Sequence, residues 1–114
     1  MEYDLEERTM VFAKNVLGAI KTIKENGLNR SITNQLIRSA TSVGANYCEA
    51  NGASSKKDFR NKIYICKKEI KESKYWIEML AEIESEKKDS LRKLWKEAHE
   101  LTLIFGKIAS SLRN

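Results

Sequence analysis

Apolar residues recur every three to four positions along the whole chain, the period of an α-helix buried on one side. In the first segment Leu5, Phe12, Val16, Ala19, Ile20 and Ile23 share one face, with Asp4 placed to cap the helix and Glu6 and Glu7 in its first turn. Gly27 is the expected stop, with Lys24 in the last turn. A second helix opens at Asn29 or Ser31, carries Ile32, Leu36, Ala40, Val43, Tyr47 and Ala50 on one line, and closes at Asn51-Gly52. The third and longest opens at Ser54 or Ser55 and runs to about Glu84, with Phe59, Ile63, Cys66, Ile70, Ile77 and Leu80 in line and Ser73 in register. After the polar turn Ser85-Glu86-Lys87-Lys88, Asp89 is expected to cap a fourth helix lined by Leu91, Leu94, Trp95, Ala98, Leu101, Phe105, Ile108 and Leu112. Alternating apolar and polar runs are absent, so no strand is predicted. Four long helices with short connections predict an all-α, antiparallel, up-down-up-down four-helix bundle, with residues 1–114 as one domain.

Composition narrows the chemistry. The chain of 114 residues is 41% hydrophobic and 32% charged, too apolar for intrinsic disorder. No stretch approaches the ~18 uncharged apolar residues of a membrane span. The acidic start, Glu2 to Glu7, is the reverse of a signal peptide's basic one, so a soluble cytoplasmic protein with no membrane partner is expected. Cys48 and Cys66 lack CxxC spacing, and with the single His99 they fall short of a structural zinc site. The cysteines are expected to stay reduced and pack as small apolar groups. His99 follows Glu97 by two positions, not the three of a di-iron motif, and no nucleophile turn precedes a helix. Neither metal nor cofactor nor catalytic residue is predicted, and the chain reads as non-enzymatic.

Charge adds a feature that the core does not explain. On the third helix Lys56, Arg60, Lys67, Lys71 and Lys74 fall within about 60° of one another, a stripe ~27 Å long. Lys57, Lys68, Tyr64 and Tyr75 flank it. Residues 56–74 hold eight basic and three acidic side chains, a local excess of five that equals the +5 net charge of the chain. Localised positive charge suits phosphate, which lysine neutralises without reading sequence, and tyrosines beside it can stack on unpaired bases. A lysine-rich face also serves as a plain solvated surface.

Two other faces suggest packing. Ile65, Glu69, Glu72, Trp76, Met79 and Ile83 line a second side of the third helix, and Leu103 points away from the core line of the fourth. This pattern is read as an oligomer interface. The second helix has a polar line of Gln35, Arg38, Ser42, Asn46 and Glu49 among small residues that permit close approach. Arg38 and Glu49 are expected to pair with groups such as Glu69, Glu72, Glu97 or Lys62, forming a register-setting network with Asn46, Trp76 and Met79 within or between subunits.

The run Gln35-Leu36-Ile37-Arg38-Ser39-Ala40-Thr41-Ser42-Val43-Gly44-Ala45-Asn46-Tyr47-Cys48-Glu49-Ala50 resembles the signature of the four-helix-bundle proteins encoded by intervening sequences of bacterial 23S ribosomal RNA genes. Asp58-Phe59-Arg60-Asn61-Lys62, Lys68-Glu69-Ile70-Lys71-Glu72-Ser73-Lys74-Tyr75-Trp76 and the stretches around Glu6 and His99 extend the resemblance over nearly the whole chain. Cys66 stands where the family usually has alanine. The resemblance implies a homopentameric ring. It also implies kinship with the accessory variability determinant proteins of diversity-generating retroelements, basic pentamers that bind a reverse transcriptase and nucleic acid. Arg38, Asn46, Glu49, Asp58, Lys62, Glu69, Glu72, Tyr75 and Trp76 match its motif, in roles that are structural rather than catalytic.

Two function classes follow. One is a basic oligomer that binds RNA or DNA with low sequence specificity, using Lys56, Arg60, Lys67, Lys71 and Lys74 for phosphates and Tyr64 and Tyr75 for bases. The other is a protein-interaction scaffold, for example an adaptor for a reverse transcriptase. A metal site or hydrolase built from Glu69, Glu72, Glu97 and Glu100 is disfavoured, because the spacing of the first two also suits plain surface pairing.

Overall fold

In the computed structural model, which describes residues 4–113, the periodic segments become four helices: α1 (Leu5–Lys21), α2 (Arg30–Asn51), α3 (Lys56–Ile83) and α4 (Lys88–Ser111). Their starts follow the capping chemistry. Asp4 Oδ1 accepts the Glu7 N–H at 2.8 Å, and Ser55 Oγ accepts the Asp58 N–H at 3.0 Å. Two ends differ from expectation. α1 stops at Lys21 and does not reach Lys24 or Gly27; the Thr22 N–H and hydroxyl both donate to the Ala19 carbonyl, the hydroxyl at 2.7 Å. A turn of 3₁₀ helix, Ser85–Lys87, precedes α4, so Asp89 lies in the first turn instead of capping it.

The α1–α2 connection is an asparagine knot. Asn26 Oδ1 accepts the N–H groups of Leu28 (2.9 Å) and Asn29 (2.8 Å), and Asn29 Oδ1 accepts the Asn26 N–H at 3.0 Å. The fully buried Asn29 amide donates to the Lys24 carbonyl and to Glu84 Oε2, both at 3.0 Å, tying this turn to the far end of α3. With these side chains serving the turn, Gly27 has no need of a left-handed backbone and does not adopt one.

Each helix packs on its neighbours in a closed cycle, α1 on α2, α2 on α3, α3 on α4 and α4 back on α1. Cross-links tie each pair, and the paired contacts run in antiparallel order between α2 and α3 and between α3 and α4. Asn51 at the end of α2 reaches Glu6 at the start of α1, and Lys62 reaches Glu49 while Arg38 reaches Glu69. Lys74 meets His99 while Glu78 meets Trp95, and Arg8 meets Glu97. The core is the apolar line of each helix: Phe12, Val16, Leu36, Val43, Ile63, Ile70, Ile77, Leu80, Leu91, Leu101 and Phe105 are at most 1% exposed. Tyr47 sets its ring edge-on to Phe105, centroids 5.7 Å apart. No helix among the described residues is long and apolar enough to cross a membrane.

The small residues of α2 act as the sequence suggests. A Cβ on Gly44 would lie 3.3 Å from Thr9 Oγ1, so α1 and α2 touch at this point. The two cysteines behave differently from each other. Cys66 is buried, its Sγ 3.5 Å from the Val43 carbonyl, and burial pushes its thiol up to about 12, leaving it protonated and inert. Cys48 is exposed, not packed as expected, and the adjacent Glu6 carboxylate raises its thiol by hydrogen bonding and charge.

Truncating Phe105 to Ala should lower the unfolding free energy by ~3–5 kcal/mol in urea titrations. Gly44→Leu should destabilise far more than Gly18→Leu, because a Cβ on exposed Gly18 meets nothing within 4 Å.

Candidate nucleic-acid interface

A helix of 28 residues is long enough to carry different chemistry on its two flanks, and α3 does so. Towards α2 it presents carboxylates and small polar groups. Towards α4 and solvent it presents mainly cations, with Glu78 hydrogen-bonded to Trp95 of α4.

On the α2 flank Glu69 is 4% exposed, and a carboxylate so buried requires a partner. Arg38 Nη1 supplies one at 2.7 Å to Oε2, and Arg38 Nη2 binds Glu72. The guanidinium Nε donates to Gln35 at 3.1 Å, and the Trp76 indole N–H donates to Glu72 Oε1 at 3.1 Å. That indole hydrogen bond, with Arg38 adding to it against the opposing effect of burial, holds the Glu72 carboxyl below its ordinary value. The buried hydroxyls of Ser39 and Ser73 hydrogen-bond each other at 2.8 Å across the same seam. Glu49 pairs with Lys62 at 2.8 Å. Asn46 donates to the Ser42 carbonyl and hydroxyl, both at 2.9 Å, and is satisfied within its own helix. Glu97 turns to Arg8 in a two-pronged pair, both contacts 2.8 Å, while Glu69 and Glu72 share Arg38. The network predicted for Arg38, Glu49, Glu69, Glu72 and Trp76 thus lies between helices of one chain. Met79 is half-buried beside it.

The stripe itself divides into three parts. Lys56 and half-buried Arg60 line a shallow recess at the end of the bundle, formed with the α2–α3 turn and the last residues of α4. Lys67 and Lys71 are exposed and form no ion pair among the described residues. Lys74 is drawn onto α4, its Nζ 3.0 Å from His99 Nδ1 and 4.9 Å from the centre of the Trp95 ring. An ammonium only donates, so Nδ1 accepts here. Tyr64 and Tyr75 are 40% and 52% exposed, but the Tyr75 ring leans edge-on against Trp76, centroids 4.9 Å apart.

The α4 side of this surface was not foreseen. Trp95, placed on the core line by its spacing, is half-buried at the α3–α4 seam. It stacks on His99 with planes 4° apart and centroids 5.2 Å apart, and its indole N–H donates to Glu78 at 2.7 Å. Exposed Arg92 and Lys96 flank it one turn apart. The Arg92/Lys96 and Trp95/His99 spacings of four were visible in the chain. Which side of α4 they occupy relative to α3 was not.

Residues 1–107 match the family model described as 23S rRNA-intervening sequence protein. The chain belongs to this family. The crystal structure of a protein of unknown function from the S23 ribosomal protein family of Bacteroides thetaiotaomicron VPI-5482 is similar, with a TM-score of 0.80. It is 28% identical, and the match covers 93% of this chain and 98% of that one. No curated protein matches. In this intervening-sequence protein the α2 segment that carries the resemblance is the seam just described. It holds Gly44 against Thr9, Ser39 against Ser73 and Arg38 against Glu69.

Removing Arg38 leaves Glu69 buried without its cation, so Arg38→Ala should cost about 1–3 kcal/mol in denaturant unfolding. Glu72 contributes stability that is full above the ordinary glutamate value of 4.5 and is lost as pH falls through its lowered folded value. Thermal unfolding should therefore show a fall in Tm below about pH 4.5, and Trp76→Phe should make that fall shallower.

Proposed function

We propose that this intervening-sequence protein binds nucleic acid with low sequence specificity, through the basic flank of α3 extended by α4. The observation that carries the reading is the exposure of Lys67 and Lys71 without ion pairs, in line with Lys74, with Arg92 and Lys96 of the next helix adding exposed cations further along the bundle, level with Glu78 and Ala81. Cations held by carboxylates have no charge to spare for phosphate, and these are not so held. A rigid helix presents them at fixed spacing, which suits a regularly charged backbone and requires no base reading. The reading is of a binding protein, not a catalyst. It takes the chain to assemble with copies of itself, a view supported by Leu103, which is 56% exposed on the outer side of α4. Assembly would repeat the basic surface and raise avidity.

The test is fluorescence anisotropy with labelled single-stranded RNA at several salt concentrations. Affinity should fall steeply with salt. The double variant Lys67→Glu, Lys71→Glu should bind more than tenfold more weakly and flatten the slope of log K against log[salt] by ~1.4, the loss of two single-strand phosphate contacts. Circular dichroism should be unchanged. Equal binding by variant and parent would overturn the assignment.

A further inference from the structure

Beside the basic stripe, α3 and α4 part to leave an open cleft of about 310 Å³, near the lower end of the ~300–1,000 Å³ usual for small-molecule sites. Its walls are Ile77 and Ala81 of α3 and Leu91 and Trp95 of α4. The indole is a fixed wall. His99 stacks against it at 5.2 Å from the C-terminal side, and Glu78 holds its N–H at 2.7 Å. The lining includes Leu91, one turn earlier in α4, and not His99, so the cleft meets the part of the indole that His99 leaves uncovered.

The α4 edge is cationic. Lys88, Arg92 and Lys96 follow one another at four-residue spacing along that edge of an apolar interior, all exposed and none in an ion pair among the described residues. The single carboxylate, Glu78, is bonded to the indole. An occupant that fits must be flat enough to lie on an indole, apolar on its faces, and joined to negative charges spaced along one edge. A lipid chain or an apolar peptide segment meets the first part of that description but leaves three cations unanswered. A nucleobase in a strand, with phosphates before and after it, meets all of it.

We infer that this cleft receives one unpaired nucleobase of a bound single strand, stacked on Trp95, while Arg92 and Lys96 take the flanking phosphates. The inference rests on the nucleic-acid reading and adds to it a preference for unpaired over duplex strands, since a paired base cannot reach the cleft. It also moves the base contact away from Tyr64 and Tyr75.

The test compares a labelled oligothymidine with an abasic strand of equal phosphate count. Oligothymidine should bind about tenfold more tightly, and in a Trp76→Phe background, where Trp95 is the remaining tryptophan, it alone should quench the indole fluorescence. Ala81→Leu fills the cleft and leaves every cation in place, so it should bring both strands to the same affinity. If the two strands bind the parent alike and neither quenches Trp95, the cleft assignment is overturned and the phosphate-binding surface stands. If neither strand binds at low salt, both readings fall.

Discussion

Glu69 is a carboxylate held inside a bundle of helices, and its pairing with Arg38 fixes how α3 is turned about its own axis. A one-residue rotation would swing Glu69 into the apolar core or out to water and separate Ser73 from Ser39. Pairing one buried charge with a half-exposed guanidinium adds little net stability but penalises the alternatives heavily. The opposite flank of α3 is pinned by different chemistry, the Lys74–His99 and Glu78–Trp95 contacts to α4. Between these two seams the outward direction of Lys67 and Lys71 is determined.

The positive surface is therefore a consequence of the packing. Glu69 and Glu72 of α3 are engaged on the α2 side, where Arg38 pairs with both and the Trp76 indole donates to Glu72. Cations on the α4 side find few acids to meet. The resulting separation of charge across one helix produces a surface suited to phosphate with no dedicated binding loop. The stacked pair Trp95–His99, held by Lys74 and Glu78, adds a rigid aromatic element to that surface.

Much of the fold was legible because burial in a bundle leaves a periodic trace. Phe12, Leu36, Ile70 and Phe105 were recognisable from spacing alone. Helix ends were less so. α1 ends at Lys21, short of Gly27, and the 3₁₀ turn Ser85–Lys87 takes the place assigned to Asp89, both details of local backbone that apolar periodicity does not encode. Asn29 reads as a helix cap, yet its amide is bound by Glu84 of the α3–α4 connection, which lies at the same end of the bundle. Lys74 shares a wheel position with Lys67, but only the placement of α4 distinguishes the engaged lysine from the free one. Trp95 was legible as apolar and not as the wall of a cleft, because that role depends on where α3 and α4 separate.

The central claim is that the α3–α4 side is the face that meets nucleic acid. Amide chemical-shift mapping of isotope-labelled protein titrated with a single-stranded oligonucleotide tests it most directly. The account predicts shifts concentrated in residues 67–81 and 88–99, with α1 and the outer face of α2 unmoved. Shifts confined to the α1–α2 side, or none at low salt, would contradict it.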